Sequence, residues 1–358
     1  MLIYIVLHYI PILKREISND TVVAFGKVRN VKDTFFPLLE VGRSKSTDDN
    51  KFIKQLLEVF DHVYVDYSYV RGQTEKGWNV ELGKDVIDYL KILSDYVDLD
   101  LKSQDFYEYR VVPIISEKKH LQDEKELLIH YEETYKKAKK AGFKSVGLRI
   151  SFHHLDYVPS EVLKFVKNLE KQDFLLIDSK VRQLTEKDSV TNYDTVLSSF
   201  IQQLKVINSE VNIVLLNCKF KIKTNGGELL NQLHWPTLKD KFDIYGYGDY
   251  ITEFDSSGGG HSTGFNLNFY EYDTRLIRKF HSDKDESDLF DKISEDSHVM
   301  SLIDQHKGYC KYCRKLKDSI DKRGFDREFQ FEKGSLERVH HLNSISVNEF
   351  NSPHPSMA

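Results

Sequence analysis

The sequence has little cysteine: three residues in 358, Cys218, Cys310 and Cys313. That number and spacing exclude a disulfide framework and point to a reducing compartment, with the cytoplasm expected. It also lacks a long hydrophobic run. The apolar stretch Leu2 to Leu13 contains His8 and Pro11, has no basic segment before it and falls short of the ~20 residues of a membrane span. No membrane association is expected, and the second half of that stretch reads as a first strand. Charge of one sign is not in excess either. A formal charge of -5 and a pI near 6.3 leave no global footprint for nucleic acid, although 51 lysines and arginines allow a local basic face. No Gly-x-Gly-x-x-Gly follows an early strand and no Gly-x-x-x-x-Gly-Lys occurs, so the common nucleotide-binding folds lose support.

What is present is enough apolar sequence, 40% of the chain, to bury a sizeable core. Eight short β-branched or apolar runs recur along the chain. They are Tyr9 to Leu13, Phe36 to Val41, Val63 to Tyr67, Val111 to Ile115, Val146 to Ile150, Phe174 to Asp178, Val211 to Leu216 and Phe242 to Tyr247. Between them lie segments whose apolar residues recur three and four apart, such as Phe52 to Phe60, Val86 to Val97, Glu124 to Lys140, Val162 to Leu169 and Val196 to Ile207. Parallel strands need crossovers and helices usually supply them, so the alternation predicts an α/β fold with a parallel sheet. Eight units favour a (β/α)8 TIM-barrel-like body over the alternative, an open doubly wound sheet.

The texture changes after Asp249. The turn-rich run Ser256 to Gly264 marks the end of the barrel domain, placed at residues 1–255. A C-terminal α+β extension, 256–350, is expected to complete or cover the barrel mouth. Within it Phe265 to Tyr272 alternates like a strand, while Asp288 to His306 and Cys313 to Ile320 have helical spacing; residues 351–358 read as a disordered tail.

In a β/α barrel the functional groups project from the C-terminal ends of the strands. Those positions hold Lys14, Glu40, Asp66, Arg149, Asp178 and Asp249, with Ser151, His153, Lys180, Asn217 and Lys219 nearby. The carboxylates Glu40, Asp66, Asp178 and Asp249 supply the oxygen ligands that a divalent cation such as Mg or Mn prefers, while Lys14, Arg149 or Lys219 suits a phosphate or carboxylate. A carboxylate beside a cation at a strand end also serves simply as an ion pair that orders the rim, and both readings stay open. A second constellation is Cys310-x-x-Cys313 with His306 before it and His340-His341 after it. Two thiolates and imidazoles can complete a zinc tetrahedron. There is no second cysteine pair, however, the gap to the histidines is long, and Cys313 sits in a helical pattern, so zinc at Cys310 and Cys313 is not expected.

Several short motifs fall in order along the chain: Tyr9-Ile10-Pro11-Ile12-Leu13-Lys14, Pro37-Leu38-Leu39-Glu40-Val41, Val65-Asp66, Val112-Pro113-Ile114, Leu148-Arg149-Ile150, Ile177-Asp178, Tyr247-Gly248-Asp249-Tyr250, Asn268-x-Tyr270 and His340-His341-Leu342. Together they resemble the phage-associated beta protein family over about residues 9 to 348. The chain departs from that pattern at Leu276-Ile277-Arg278-Lys279, where the family has tryptophan and Arg-Gly, and at Phe331 to Ser335. The resemblance implies bacterial or phage provenance and a place in phage-host conflict, and it supplies no reaction. It adds weight to the polar residues inside the motifs, namely Lys14, Glu40, Asp66, Arg149, Asp178, Asp249, His340 and His341.

Two functions follow as expectations. One is a metal-assisted phosphoester hydrolase or nuclease, with Mg or Mn on Glu40, Asp66, Asp178 and Asp249, and with Lys14, Arg149, His340 and His341 as catalytic groups. The other is a non-enzymatic ligand-sensing or partner-binding module of a phage-defence system. A small phosphorylated ligand or nucleic acid would occupy the rim in either case, and a protein partner would dock on the C-terminal extension.

Overall fold

The structure is a computed structural model. It describes residues 8–10, 12–13, 36–41, 46–67, 85–95, 110–116, 124–151, 160–178, 182–183, 190–216, 219–224, 227–232, 244–248, 265–271 and 276–325. The segment 256–264, the tail 351–358 and the site candidates Lys14, Asp249, His340 and His341 lie outside those residues.

The barrel strands are β1 (His8–Tyr9), β2 (Ile12–Leu13), β3 (Leu38–Glu40), β4 (Val63–Asp66), β5 (Val111–Ser116), β6 (Gly147–Ser151), β7 (Phe174–Asp178), β9 (Asn212–Leu216) and β12 (Gly246–Gly248). Their hydrogen-bonded order is β1-β12-β9-β7-β6-β5-β4-β3-β2, and every pairing is parallel. The segments β1 and β2 stand at the two ends of this order yet are two residues apart in the chain. The first sequence strand is therefore shared between two partners, its first half on β12 and its second half on β3, and the sheet closes into an eight-stranded barrel. The Ile10 amide adds a bond to the Tyr247 carbonyl at 2.8 Å.

Side chains alternate across each strand with a period of two, which gives the closed sheet two separate apolar faces. Leu39, Val63, Val65, Val111, Ile115, Leu148, Ile150, Leu175, Ile177, Ile213 and Leu215 point outward. They pack on helices α1 (Ser46–Leu57), α2 (Val86–Asp95), α3 (Glu124–Lys140), α4 (Ser160–Val166) and α5 (Val190–Ile207). The alternate residues Ile12, Leu38, Tyr64, Val112, Ile114, Phe174, Leu176, Val214 and Leu216 form a second cluster inside. That cluster joins residues from both ends of the strand order, as only a closed sheet allows. Phe36, Tyr64, Phe174 and Tyr245 meet edge-on or tilted at 5.0–6.4 Å between ring centres and fill the N-terminal end of the interior.

The expected helix over 124–140 has those bounds, and those expected over 52–60, 86–97, 162–169 and 196–207 end within about three residues of the observed C-terminal ends. Asp85 starts α2 by accepting from the Ile87 and Asp88 amides, both at 2.9 Å. The single helix expected over 288–306 is two: α6 (Glu286–Glu295) and α7 (Ser297–His306). Asp296 divides them, because its extended backbone ends α6 while its carboxylate caps α7 through the Val299 amide at 3.1 Å.

A second sheet runs in the order β13-β14-β11-β10-β8, from β8 (Arg182–Gln183), β10 (Lys219–Thr224), β11 (Gly227–Gln232), β13 (Phe265–Glu271) and β14 (Leu276–Ser282). Strands β8 and β10 follow directly on the C-terminal ends of barrel strands β7 and β9. The second sheet thus draws on both sides of residue 255 and is rooted at the barrel's C-terminal face. Helices α6, α7 and α8 (Lys311–Lys322) cover β13 and β14 with a core of their own, built on Leu267, Phe269, Phe290, Ile303, Tyr312 and Leu316.

Closure depends on a backbone approach that excludes a side chain. A Cβ at Gly248 would stand 1.8 Å from the Ile10 carbonyl oxygen. Gly248→Ala must therefore part β12 from the first strand, and we expect a loss of at least ~2 kcal/mol in urea denaturation; an unchanged midpoint would show that the barrel does not close at this seam.

Candidate functional site

Alternation fixes which residues line the barrel interior near its C-terminal end. Counting inward positions from the apolar cluster, Leu38 is followed by Glu40, Tyr64 by Asp66, Ile114 by Ser116 and Leu176 by Asp178. Gly147 and Arg149 are the inward residues of β6. A Cβ at Gly147 would lie 2.3 Å from Ile114 Cδ1 and 2.9 Å from Leu176 Cδ1, so the glycine leaves the space that those side chains fill below Arg149. The register sets Glu40 beside Asp66 and Ser116 beside Arg149.

Four of the residues singled out from the sequence converge here. The Arg149 guanidinium donates through Nη1 to Glu40 Oε1 at 2.9 Å and to Asp66 Oδ2 at 2.6 Å. Through Nε and Nη2 it donates to Asp178 Oδ2, at 3.0 and 2.5 Å. Glu40, Asp66, Arg149 and Asp178 are 3, 0, 6 and 1% exposed, so these are desolvated, charge-assisted bonds rather than rim contacts. Three carboxylates against one guanidinium leave an excess of two negative charges among the described residues when all are ionised. Ser116 was not among the residues singled out from the sequence. Its hydroxyl donates to Asp66 Oδ1 at 2.8 Å and lies 2.9 Å from Oδ2. The available signal was position: Ser116 ends β5 two residues beyond inward-facing Ile114.

The Asp66 carboxyl is shifted upward. Burial pushes its carboxyl up to about 6, the Arg149 guanidinium pulls it down, the Glu40 carboxylate pushes it up again, and hydrogen bonds from Arg149 and Ser116 oppose the rise. Behind the barrel wall, His130 on α3 lies 3.3 Å from the Ser116 carbonyl oxygen through Nε2 and 3.3 Å from Thr134 Oγ1 through Nδ1. The end of β5 is thereby tied to the helical layer.

The sequence reading gave Glu40, Asp66, Asp178 and Asp249 to a metal and Arg149 to catalysis. The structure brings the first three together around Arg149, whose guanidinium lies among their oxygens. Among the described residues no group of three or more His, Cys, Asp or Glu is arranged to hold a metal ion. The oxygen donors themselves suit a hard divalent cation. Such an ion on the same Glu40 and Asp66 oxygens would have to displace Nη1 and with it the planar guanidinium, which can pivot on its two bonds to Asp178 Oδ2. The Cys310 and Cys313 thiols are buried in the core of the C-terminal module and not joined by a disulfide.

Comparison with known proteins adds little. No protein-family model matches the sequence, and no curated protein matches it. Among solved structures, the catalytic domain of a hyperthermophilic chitinase from Pyrococcus furiosus aligns over 68% of this chain and 83% of that one, at 11% identity and a TM-score of 0.39. An O-GlcNAc hydrolase mutant from Thermobaculum terrenum aligns over 68% and 54%, at 7% identity and the same score. Likenesses this distant carry no argument about the reaction. The barrel rests on its own strand order.

Two expected outcomes follow from the cluster. Arg149→Met leaves three buried carboxylates without their shared cation, and should lose about 3–5 kcal/mol in chemical denaturation at neutral pH, less in acid. A loss that does not vary with pH would contradict the charge argument. For Asp66, the folded chain keeps the proton up to about pH 6, whereas the unfolded chain releases it near pH ~4. The stabilisation is fully present below pH ~4 and is lost, by roughly 3 kcal/mol, as pH rises to the folded value. Asp66→Asn should remove this slope from a pH series of urea melts, and an unchanged slope would contradict it.

Proposed function

We propose that the chain is a hydrolase of phosphoesters working at the C-terminal mouth of its barrel, with Mg or Mn as the cation that completes the Arg149 cluster. The observation that carries this reading is the convergence of Glu40, Asp66 and Asp178 on one arginine at the strand ends, where β/α barrels present their functional groups.

Glu40 and Asp66 would hold the ion, since they already share a single donor of Arg149. When bound, it polarises a phosphoryl oxygen and acidifies a coordinated water. The chain's own residues supply the rest. Asp178 Oδ2 accepts two N–H groups of the guanidinium, a pivot about which the whole plane would swing so that Nη1 reaches an oxygen that gains charge in the reaction. Ser116 fixes the orientation of the Asp66 carboxylate. Lys14, Asp249, His340 and His341 lie outside the described residues and keep their proposed roles, Asp249 as a further ligand and the others as catalytic groups.

A second reading is a sensor or partner-binding module in phage defence. It is supported by the separate core of the C-terminal module and by the resemblance to the beta protein family. Truncation at residue 256 would not separate the two readings cleanly, because it strips β14 from its partner β11.

The full chain should hydrolyse bis(p-nitrophenyl) phosphate or a short oligonucleotide in the presence of Mg or Mn. Asp66→Asn and Arg149→Lys should each lower turnover at least ~100-fold while the fold is retained. Full turnover in both variants would overturn the assignment of the site, and absence of any metal-dependent turnover in the wild type would favour the sensor.

A further inference from the structure

We propose that Cys310 and Cys313 are a reversible redox pair, joined on two-electron oxidation into an intramolecular disulfide that locks the first turn of α8. Cys310 is the N-cap of α8, with φ -103° and ψ 114°, and its Sγ accepts the Cys313 amide at 3.5 Å. The Cys313 thiol is hydrogen-bonded to Cys310 as well. Both sulfurs therefore lie on the same side of one helical turn. Two intervening residues at a helix start is the spacing at which a dithiol closes without unwinding the helix.

The surroundings divide the roles. The unpaired amides and dipole of a helix N-terminus favour a thiolate at the cap, which makes Cys310 the attacking sulfur. Burial and the contact with Cys310 push the Cys313 thiol well above its usual range, which suits the resolving position. With a small-molecule disulfide as oxidant, the Cys310 thiolate attacks one of its sulfurs and releases the first thiolate. Cys313, on losing its proton, attacks Cys310 in the mixed disulfide and expels the second. The oxidant leaves as two thiols carrying the two cysteine protons.

Zinc is the competing use of such a pair. Two sulfurs supply half of its tetrahedral set, and the described residues offer no third member of a ligand group. Both cysteines are fully buried in the module's core, so exchange in either direction proceeds through opening of the α8 start. That start is moored to α7 by the Cys310 amide on the His306 carbonyl, at 2.8 Å. The disulfide would stiffen the junction of the two helices.

The test is incubation of the native full-length chain in a graded series of glutathione and glutathione disulfide, read by intact mass, by peptide mapping across Lys311 and by amide hydrogen exchange. The expected result is loss of two hydrogen atoms, a Cys310–Cys313 bond and slower exchange at residues 311–314, none of which occurs in Cys310→Ser. The wild-type masses need no variant, so a poorly folding variant does not remove the test. Retention of both thiols in the most oxidising buffer would overturn the proposal. So would a bond to Cys218, unchanged exchange in the oxidised chain, or one zinc per chain released only on alkylation.

Discussion

The charged cluster inside the barrel depends on one contact set, that of the Arg149 guanidinium with Glu40, Asp66 and Asp178. Each of these groups loses its water on burial, and each carboxylate would repel the other two. A planar cation with donors on three sides can satisfy several acceptors from different strands at once, where a lysine could offer only a point charge. Burial is the main cause of the rise of the Asp66 carboxyl to about 6; the Arg149 guanidinium opposes it and the Glu40 carboxylate adds to it.

The fold explains how the cluster is assembled. A period-two alternation sends Leu38, Tyr64, Ile114 and Leu176 inward, so the next inward positions at the strand ends, Glu40, Asp66, Ser116 and Asp178, must share the same interior. Aromatic rings fill the opposite end. Gly147 leaves room for two apolar neighbours beneath the arginine, and Gly248 lets the last strand reach the backbone of the first. The C-terminal module is then added to strands that leave the same face, through β8 and β10.

The sequence made the barrel legible because its strands are short apolar runs separated by long amphipathic helices, a pattern with few alternatives. It also placed Glu40, Asp66, Arg149 and Asp178 at one rim, since each follows directly on such a run. It did not reveal that Arg149 lies among the carboxylates, because its long side chain can reach in several directions and only the register decides. The hairpin of β10 and β11 was passed over, although Asn225-Gly226 between Lys219–Thr224 and Gly227–Gln232 is a strong hairpin signal. Strand β14 was missed because Arg278, Lys279 and His281 mask its alternation. The division of α6 from α7 at Asp296 was missed because the apolar spacing runs on through it.

On the proposed reading the Arg149 cluster is a cation site with chemistry to perform rather than a plug of ion pairs. Titration of the full chain with Mn, followed by electron paramagnetic resonance, distinguishes the two. One saturable site is expected in the wild type, lost in Glu40→Gln, with tighter binding in Arg149→Met, where the ion no longer competes with a guanidinium. Mn that binds equally to all three proteins, or to none, would contradict it.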